Sequence, residues 1–182
     1  MTVRILPKYT YEDYKEWQGD WQLIDGIPFA MAPSPIKKHQ RLSYLIMREI
    51  DDALEECEEC EVYYEIDYKV NEQTVLRPDV VVVCNDEQEK YVSVTPKIVV
   101  EVLSPSTSEL DEGVKKEIYE EEGVQYYIIV NPEDLVAKVY ENREGFKKVG
   151  DFTKQKWRFS FEECEGEIDF NRVFSKLKRV RS

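Results

Sequence analysis

Short apolar runs alternate with amphipathic segments along this chain. "LRPDVVVV" (76–83), "KIVVEVLS" (97–104) and "QYYIIVNP" (125–132) are dense in valine or isoleucine, which predicts strands buried on both faces. From Ile36 the apolar positions recur at intervals of three and four, through Leu42 to Ile50, and this spacing predicts an amphipathic helix. Because helices and buried strands alternate, we expect an α/β domain with a mixed central β-sheet flanked by α-helices.

The remaining segments carry clear turn and cap signals. Asp25-Gly26 and Glu144-Gly145 each predict the turn of a hairpin. Thr10 is a candidate cap for a short helix, "EVYYEIDYKV" (61–70) alternates as a strand, and "SPSTSELDEGVKKEIYEEEGV" (104–124) begins as a loop and continues as a helix. No repeat, linker or hinge divides residues 1–182, so we predict one domain, ending in a basic and helical tail at about 171–182.

Two acidic residues accompany the valine-rich strands. Asp79 stands at the entrance of one strand, and Glu101 lies between Val100 and Val102 in the next. An unpaired buried carboxylate is costly, so each acid needs a partner, a metal ion or access to solvent. Pairing of Asp79 with Arg77 or another cation is one alternative. If the two acids face each other, one takes up a proton or a divalent cation lies between them, and Mg²⁺ suits one or two carboxylates with waters.

A cation follows on the next predicted helix. Lys115 and Tyr119 are four residues apart, so both side chains can share a face. If that face packs on the sheet, the lysine can reach the carboxylates. Phosphodiester hydrolysis needs this combination, because the metal lowers the pKa of a bound water while the lysine positions it or stabilises developing charge. We therefore predict a catalytic site formed by Asp79, Glu101 and Lys115.

The charge of the chain is uneven. Its net charge of −13 disfavours a general attraction to polyanions. Lys37, Lys38 and Arg41 surround the single histidine, His39, and a second basic group lies in the tail at Arg172, Lys176, Lys178, Arg179 and Arg181. Solvated surface is the ordinary interpretation of such groups. The alternatives are phosphate contacts for Lys37, Lys38 and the basic tail, and a supporting base or a phosphate contact for His39.

The chain also lacks the signals of secretion and membrane insertion. No apolar run approaches the roughly 20 residues of a membrane span, and the first residues lack the apolar block of a signal peptide. We therefore expect a cytoplasmic location and no membrane partner.

The four cysteines are Cys57, Cys60, Cys84 and Cys164. Cys57 and Cys60 form "CEEC", which can be half of a zinc site or a redox pair. Cys84 and Cys164 stand alone in the sequence, which argues against zinc, and the neighbouring glutamates would raise the pKa of the thiols, opposite to what a reactive thiol needs. A thiol or zinc protein remains an alternative.

Several motifs, in their order, resemble one family. "WQLIDG", "RPDVVVV", "VVEVLSPST" and "DEGVKKEIYEEEGVQYYIIVNP" are similar to the Uma2 family (DUF820), whose members have a PD-(D/E)xK restriction endonuclease-like fold. The resemblance covers about residues 9–140. It implies a Mg²⁺- or Mn²⁺-dependent endonuclease, with DNA as substrate and two chains forming a homodimer, because nucleases of this fold often act as dimers.

The resemblance also assigns roles to individual residues. Asp79 and Glu101 match the acids of the family, and the carbonyl of Val102 is implied as a further metal ligand. The simple nuclease motif has a lysine two positions after the glutamate, where this chain has Leu103; the lysine of this family is matched by Lys115 on the next helix.

One position departs from the family pattern. Gln22 stands where relatives usually have an acid before "LIDG", which is expected to weaken metal binding because a charge is lost. We predict supporting roles at the site for Gln22, His39 and Tyr119. A weak or inactive nucleic-acid-binding or interaction module of the same fold is the alternative function.

Overall fold

The computed structural model describes residues 5–31 and 36–177 of the chain. Within them are twelve strands and five helices. The strands are β1 (Trp21–Ile24), β2 (Ile27–Ala30), β3 (Cys60–Tyr64), β4 (Tyr68–Asn71), β5 (Thr74–Leu76), β6 (Val80–Cys84), β7 (Ile98–Val102), β8 (Tyr126–Asn131), β9 (Val136–Asn142), β10 (Phe146–Phe152), β11 (Lys156–Ser160) and β12 (Glu165–Asp169). The helices are α1 (Tyr11–Tyr14), α2 (Lys37–Ala53), α3 (Ser108–Glu112), α4 (Val114–Glu121) and α5 (Phe170–Ser175).

Six strands form the central sheet, in the order β10-β9-β8-β7-β6-β3. Strands β7 and β8 pair in parallel, and the other neighbours pair antiparallel. Every residue of β6 and β7 is buried, as their unbroken apolar sequences predict. The sheet is therefore mixed, as predicted.

The two faces of this sheet pack against different elements. Alternate residues such as Val80 and Val100 face α2, α5 and the β11–β12 hairpin. The residues between them, such as Val81 and Val99, face Tyr119 of α4 and the smaller sheet. Because side chains alternate across a strand, this division decides which polar residues can meet.

A second sheet, in the order β2-β1-β5-β4, lies beside α1. The predicted hairpin of β1 and β2 is formed, and its turn residues Asp25 and Gly26 have φ values of 50° and 78°. Thr10 and Asp13 form a capping box at the start of α1, as the sequence indicates.

Three features differ from the predictions. "EVYYEIDYKV" is two strands, β3 and β4, because the chain turns at Glu65, whose φ is 47°, and β4 joins the second sheet. The helix predicted before Gly123 is divided at Gly113 into α3 and α4. The β11–β12 hairpin was not predicted. In the tail, α5 is confirmed, and Lys178, Arg179 and Arg181 lie outside the described residues.

Helix α2 is the longest helix and has 17 residues with charges along its length. None of the helices in the described parts of the chain combines the length and hydrophobicity of a membrane span.

The β11–β12 hairpin packs on α2 across a glycine. Gly166 is the Cα partner of Phe159, and a Cβ atom at Gly166 would lie 2.5 Å from the Phe159 ring and 3.1 Å from Cβ of Ala53. We expect Gly166→Ala to lower the free energy of unfolding by about 1–3 kcal/mol, as overpacked cores do. Urea unfolding measures the change. Gly150→Ala is the control, because its Cβ would come no closer than 3.4 Å to Phe152, and an equal loss in both variants would contradict the packing argument.

Candidate active site

The two predicted acids lie on the same face of the central sheet. Val80 pairs with Val100 across β6 and β7, so Asp79 and Glu101 stand side by side, one position beyond this pair. Strand alternation directs Glu101 to the face that α4 covers. Glu101 is 2% exposed. The expectation that the acids of two neighbouring strands meet is thus met by the geometry.

Asp79 is held by groups from two elements. The backbone N–H of Val102 donates to Asp79 Oδ2 at 2.7 Å, and Nε2 of His39 lies 3.5 Å from the same oxygen. The alternative pairing with Arg77 is wrong, because Arg77 bonds with Asp20 and Asp67 at 2.6 and 3.0 Å. Burial lowers the pKa of His39, but its interactions with Asp79 and the backbone of Val102 raise that pKa above its ordinary value.

Glu101 is bound by the lysine and the tyrosine of α4. Nζ of Lys115 lies 2.8 Å from Oε1 of Glu101 and 3.2 Å from Oδ1 of Asp111. The hydroxyl of Tyr119 donates to the same Oε1 of Glu101 at 2.9 Å. Asp111, Lys115 and Tyr119 are at most 2% exposed. Lys115 and Tyr119 therefore share the face of α4 that packs on the sheet, as their spacing predicts.

Burial and mutual repulsion govern the ionisation of this cluster. Burial raises the pKa of Glu101 well above its ordinary range, against the opposing charge of Lys115, and Asp111 and Asp79 add to the rise. The pKa of Asp111 is also raised by burial. Burial would lower the pKa of Lys115, but the two carboxylates raise it. The ammonium of Lys115 thus faces three acids, with His39 beside one of them, Asp79. Any remaining surplus of acid is what a proton or a divalent cation would balance.

A cavity of about 160 Å³ opens onto these groups. Its lining includes Asp79, Glu101, Asp111 and Lys115, together with Gln22, His39, Asp20, Met31, Glu65, Arg77, Ser104 and Thr107. Oε1 of Gln22 accepts a hydrogen bond from the backbone N–H of Arg77 at 2.9 Å. Gln22 therefore holds β1 against the segment that leads into Asp79, and its polar head borders the predicted site.

A larger groove, of about 760 Å³, reaches Asp79 from the side of α2. Lys37, Arg41 and Tyr44 line it from α2, and Tyr64, which is 64% exposed, lines it from β3. Its remaining lining is Gln40, Ser43, Met47, Glu65 and Asp79. Lys37 is therefore placed to approach a ligand that enters from this side.

The other predicted phosphate contacts have less support. Lys38 is not among the residues that line the groove or the cavity in the described chain, and its role stays a prediction. In the tail, Nε of Arg172 lies 3.6 Å from Oε2 of Glu49.

The carboxylates of Asp79 and Glu101 line the cavity, and the backbone of Val102, which does not line it, lies next to Asp79. The carbonyl of Val102 points to the same side of β7 as its N–H, which bonds with Asp79. Two carboxylates and one carbonyl are the ligand types that Mg²⁺ and Mn²⁺ prefer. Asp79, Glu101 and Val102 are the residues that could hold such an ion, and this assignment stays a prediction.

Asp111 is the site residue that sequence reasoning gave no role. It lies four residues before Lys115 and forms an ion pair with it. The signal was present, because residues four apart on a helix are neighbours. Gly113, however, interrupts the helix between them, and spacing alone does not show that both side chains are buried.

Comparisons with known proteins identify the fold and the family. The Uma2 family model, described as "Putative restriction endonuclease", matches residues 11–169. An uncharacterised protein of Synechocystis sp. is 30% identical over 150 residues, which cover 76% of this chain and 77% of that protein. The crystal structure of "a putative nuclease belonging to DUF820" from Anabaena variabilis superposes with a TM-score of 0.71 at 15% identity, and covers 91% of this chain and 97% of that chain.

These likenesses agree with the motifs and the topology. The structural likeness confirms the predicted mixed α/β fold, because it extends over most of both chains. The family match spans α1 to β12, including every residue of the acid–lysine cluster. The chain therefore belongs to the Uma2 family.

Proposed function

We propose that this protein is a metal-dependent endonuclease that hydrolyses phosphodiester bonds of DNA. The observation that carries the proposal is the convergence of Asp79, Glu101 and Lys115 on one cavity. A buried lysine between acids can be a purely structural ion pair. Here, however, the acids outnumber the lysine and border an opening, which favours a site that binds a cation and a substrate.

The residues of the chain would divide the work as follows. Asp79, Glu101 and the carbonyl of Val102 would hold Mg²⁺ or Mn²⁺, which when bound lowers the pKa of a water ligand and neutralises phosphate charge. Lys115 keeps its proton, so its ammonium can donate a hydrogen bond to the attacking water or to a phosphoryl oxygen. Tyr119 orients Glu101 through its hydroxyl, and His39 supports Asp79.

The groove beside α2 suits a nucleic-acid strand that leads to Asp79. Lys37 and Arg41 can contact phosphates, which positions a substrate without reading its sequence. Tyr44 and Tyr64 are 45% and 64% exposed, so they can stack on bases. A homodimer remains a prediction, which light scattering of the purified protein tests.

Cleavage of plasmid and branched DNA tests the proposal. We expect cleavage by the wild type with Mg²⁺ or Mn²⁺, loss of cleavage in EDTA, and loss in Glu101→Gln, which keeps the shape of the side chain and the acceptor for Tyr119. Glu133→Gln, at an exposed position, is the control and should cleave as the wild type does. Metal-dependent cleavage that Glu101→Gln leaves unchanged would contradict the site.

A weak or inactive DNA-binding module is the second candidate. Two observations favour it: Gln22 replaces the usual acid, and the chain carries a net charge of −13. Calorimetry with Mg²⁺ or Mn²⁺ separates the two candidates, because a nuclease should bind the ion through Asp79. If the wild type binds neither Mg²⁺ nor Mn²⁺, the result would favour the inactive DNA-binding module.

The change Gln22→Glu should strengthen metal binding. A glutamate can accept the same hydrogen bond from the Arg77 N–H while adding a negative charge at the cavity. We expect the dissociation constant for Mg²⁺ to fall about tenfold, or about 1.4 kcal/mol, since opposite charges in a partly buried site attract by more than this. Calorimetry measures it. Gln18→Glu, at an exposed position, should leave the constant unchanged, and an equal gain there would point to net charge alone.

A further inference from the structure

All four cysteines of the chain meet at one end of the central sheet. Cys60 opens β3 and Cys84 closes β6, and the two are Cα partners across these strands. Cys57 lies between α2 and β3, and Cys164 lies between β11 and β12. The fold thus brings to the "CEEC" segment the two cysteines that stand alone in the sequence.

The sulfur atoms form one compact group. Those of Cys57, Cys60 and Cys164 lie within 4.8 Å of one another, and Sγ of Cys60 is 3.6 Å from Sγ of Cys164. Two pairs of sulfur atoms, Cys57 with Cys164 and Cys60 with Cys84, lie at the distance of a disulfide bond. Cys84 adjoins this group of three through Cys60. The four sulfurs can form two disulfides or, as thiolates after a small movement of Cys84, surround one metal ion.

We propose that the reduced protein binds one zinc ion through Cys57, Cys60, Cys84 and Cys164. Zn²⁺ holds four thiolates tetrahedrally at about 2.3 Å, which places neighbouring sulfurs about 3.8 Å apart. The separation of 3.6 Å between Cys60 and Cys164 is close to this value. The two intervening residues of "CEEC" also match the spacing that structural zinc sites use for one half of their ligands.

The backbone separations of the two cysteine pairs differ. The Cα atoms of Cys57 and Cys164 are 6.0 Å apart, within the range of about 4.4–6.8 Å that is usual for a disulfide. Those of Cys60 and Cys84 are only 4.0 Å apart, below that range. Both pairs lie at bonding distance, so two disulfides are the oxidised arrangement, with an unusually short Cα separation for Cys60 and Cys84. In the reduced protein one metal ion would take all four sulfurs.

The surroundings indicate a structural rather than a catalytic ion. Cys60 and Cys84 are 5% and 6% exposed, and Cys57 and Cys164 are partly buried against the core, so four protein ligands would close the site, as in structural zinc sites. The β11–β12 hairpin shares no strand pairing with the six-stranded sheet in the described residues. A bound ion would fasten this hairpin, through Cys164, to β3 and β6.

Elemental analysis of protein purified without chelator, under reducing conditions, tests the proposal. We expect one zinc per chain, and loss of that zinc in Cys84→Ser and in Cys164→Ser. Asp52→Asn is the control, because Asp52 is an exposed residue of α2 outside both the cysteine group and the acid–lysine cluster, and it should keep its zinc. Chelation of the wild type should lower its melting temperature by about 5 °C or more.

A second measurement does not depend on the folding of the serine variants. Wild-type protein that is loaded with Co²⁺ in place of zinc should show the intense visible and charge-transfer absorption of a tetrahedral cobalt thiolate. Absence of both stoichiometric metal and this absorption would overturn the proposal, whether the cysteines are then found as disulfides or as free thiols.

Discussion

Methionine in place of Lys115 is expected to lower the free energy of unfolding by about 3–5 kcal/mol. The change keeps most of the side-chain volume but removes the ammonium that lies 2.8 Å from Glu101 and 3.2 Å from Asp111. Two buried carboxylates then lose their shared cation, and removing one partner of a buried ion pair costs about this much. Urea unfolding in EDTA at neutral pH measures the difference without compensation by added metal.

The neighbouring lysine provides the control. Nζ of Lys116 lies 3.9 Å from the centroid of the Tyr140 ring. Lys116 is partly exposed, and loss of a cation–π contact near the surface costs about 1 kcal/mol. The triple variant Lys115→Met/Glu101→Gln/Asp111→Asn should recover part of the stability, because neutral amides need no cation. Equal losses in Lys115→Met and Lys116→Met would contradict the assigned charge balance.

Asparagine in place of Asp79 is expected to reduce metal-dependent DNA cleavage by about 10²–10³-fold, the range found when one group that stabilises transition-state charge is removed. The amide oxygen of asparagine can still accept the hydrogen bond from the Val102 N–H, so the fold should be kept. The lost charge should weaken the binding of Mg²⁺ or Mn²⁺. Calorimetry with the metal and a cleavage assay on the same preparation measure both effects.

Asp52→Asn serves as the control for this variant. Asp52 is an exposed residue of α2, and its substitution changes the net charge of the chain by the same amount. Metal affinity and cleavage should equal those of the wild type. If Asp79→Asn also kept both properties, Asp79 would not be a metal ligand.

The sequence predicted which strands and helices build the site, but it predicted less well how these elements contact one another. The valine runs identified β6 and β7, because strands buried on both faces leave no polar alternation. The placement of Asp79 and Glu101 on one face depends on the pairing of Val80 with Val100. A shift of one residue would have turned one of the acids to the other face, and nothing local in either strand specifies that register.

Contacts between distant segments were the least predictable. Cys164 is 107 residues from Cys57, and Cys84 is 24 residues from Cys60, so ligand spacing along the chain indicated only the "CEEC" half of the four-sulfur group. The division of "EVYYEIDYKV" into β3 and β4 was missed for a different reason. Both parts alternate with the same period, and only the backbone at Glu65 separates them.

The parallel pairing of β7 and β8 has a consequence for recognising relatives of this protein. Two parallel neighbours need a crossover connection that returns over the sheet, and here α3 and α4 provide it. A lysine on that crossover, such as Lys115, contacts Glu101 of β7 from the helical layer. The number of residues between the glutamate and the lysine is therefore not fixed by the strand. A search for related enzymes should therefore test for an amine near the paired acids in three dimensions, since a linear pattern would pass over chains such as this one.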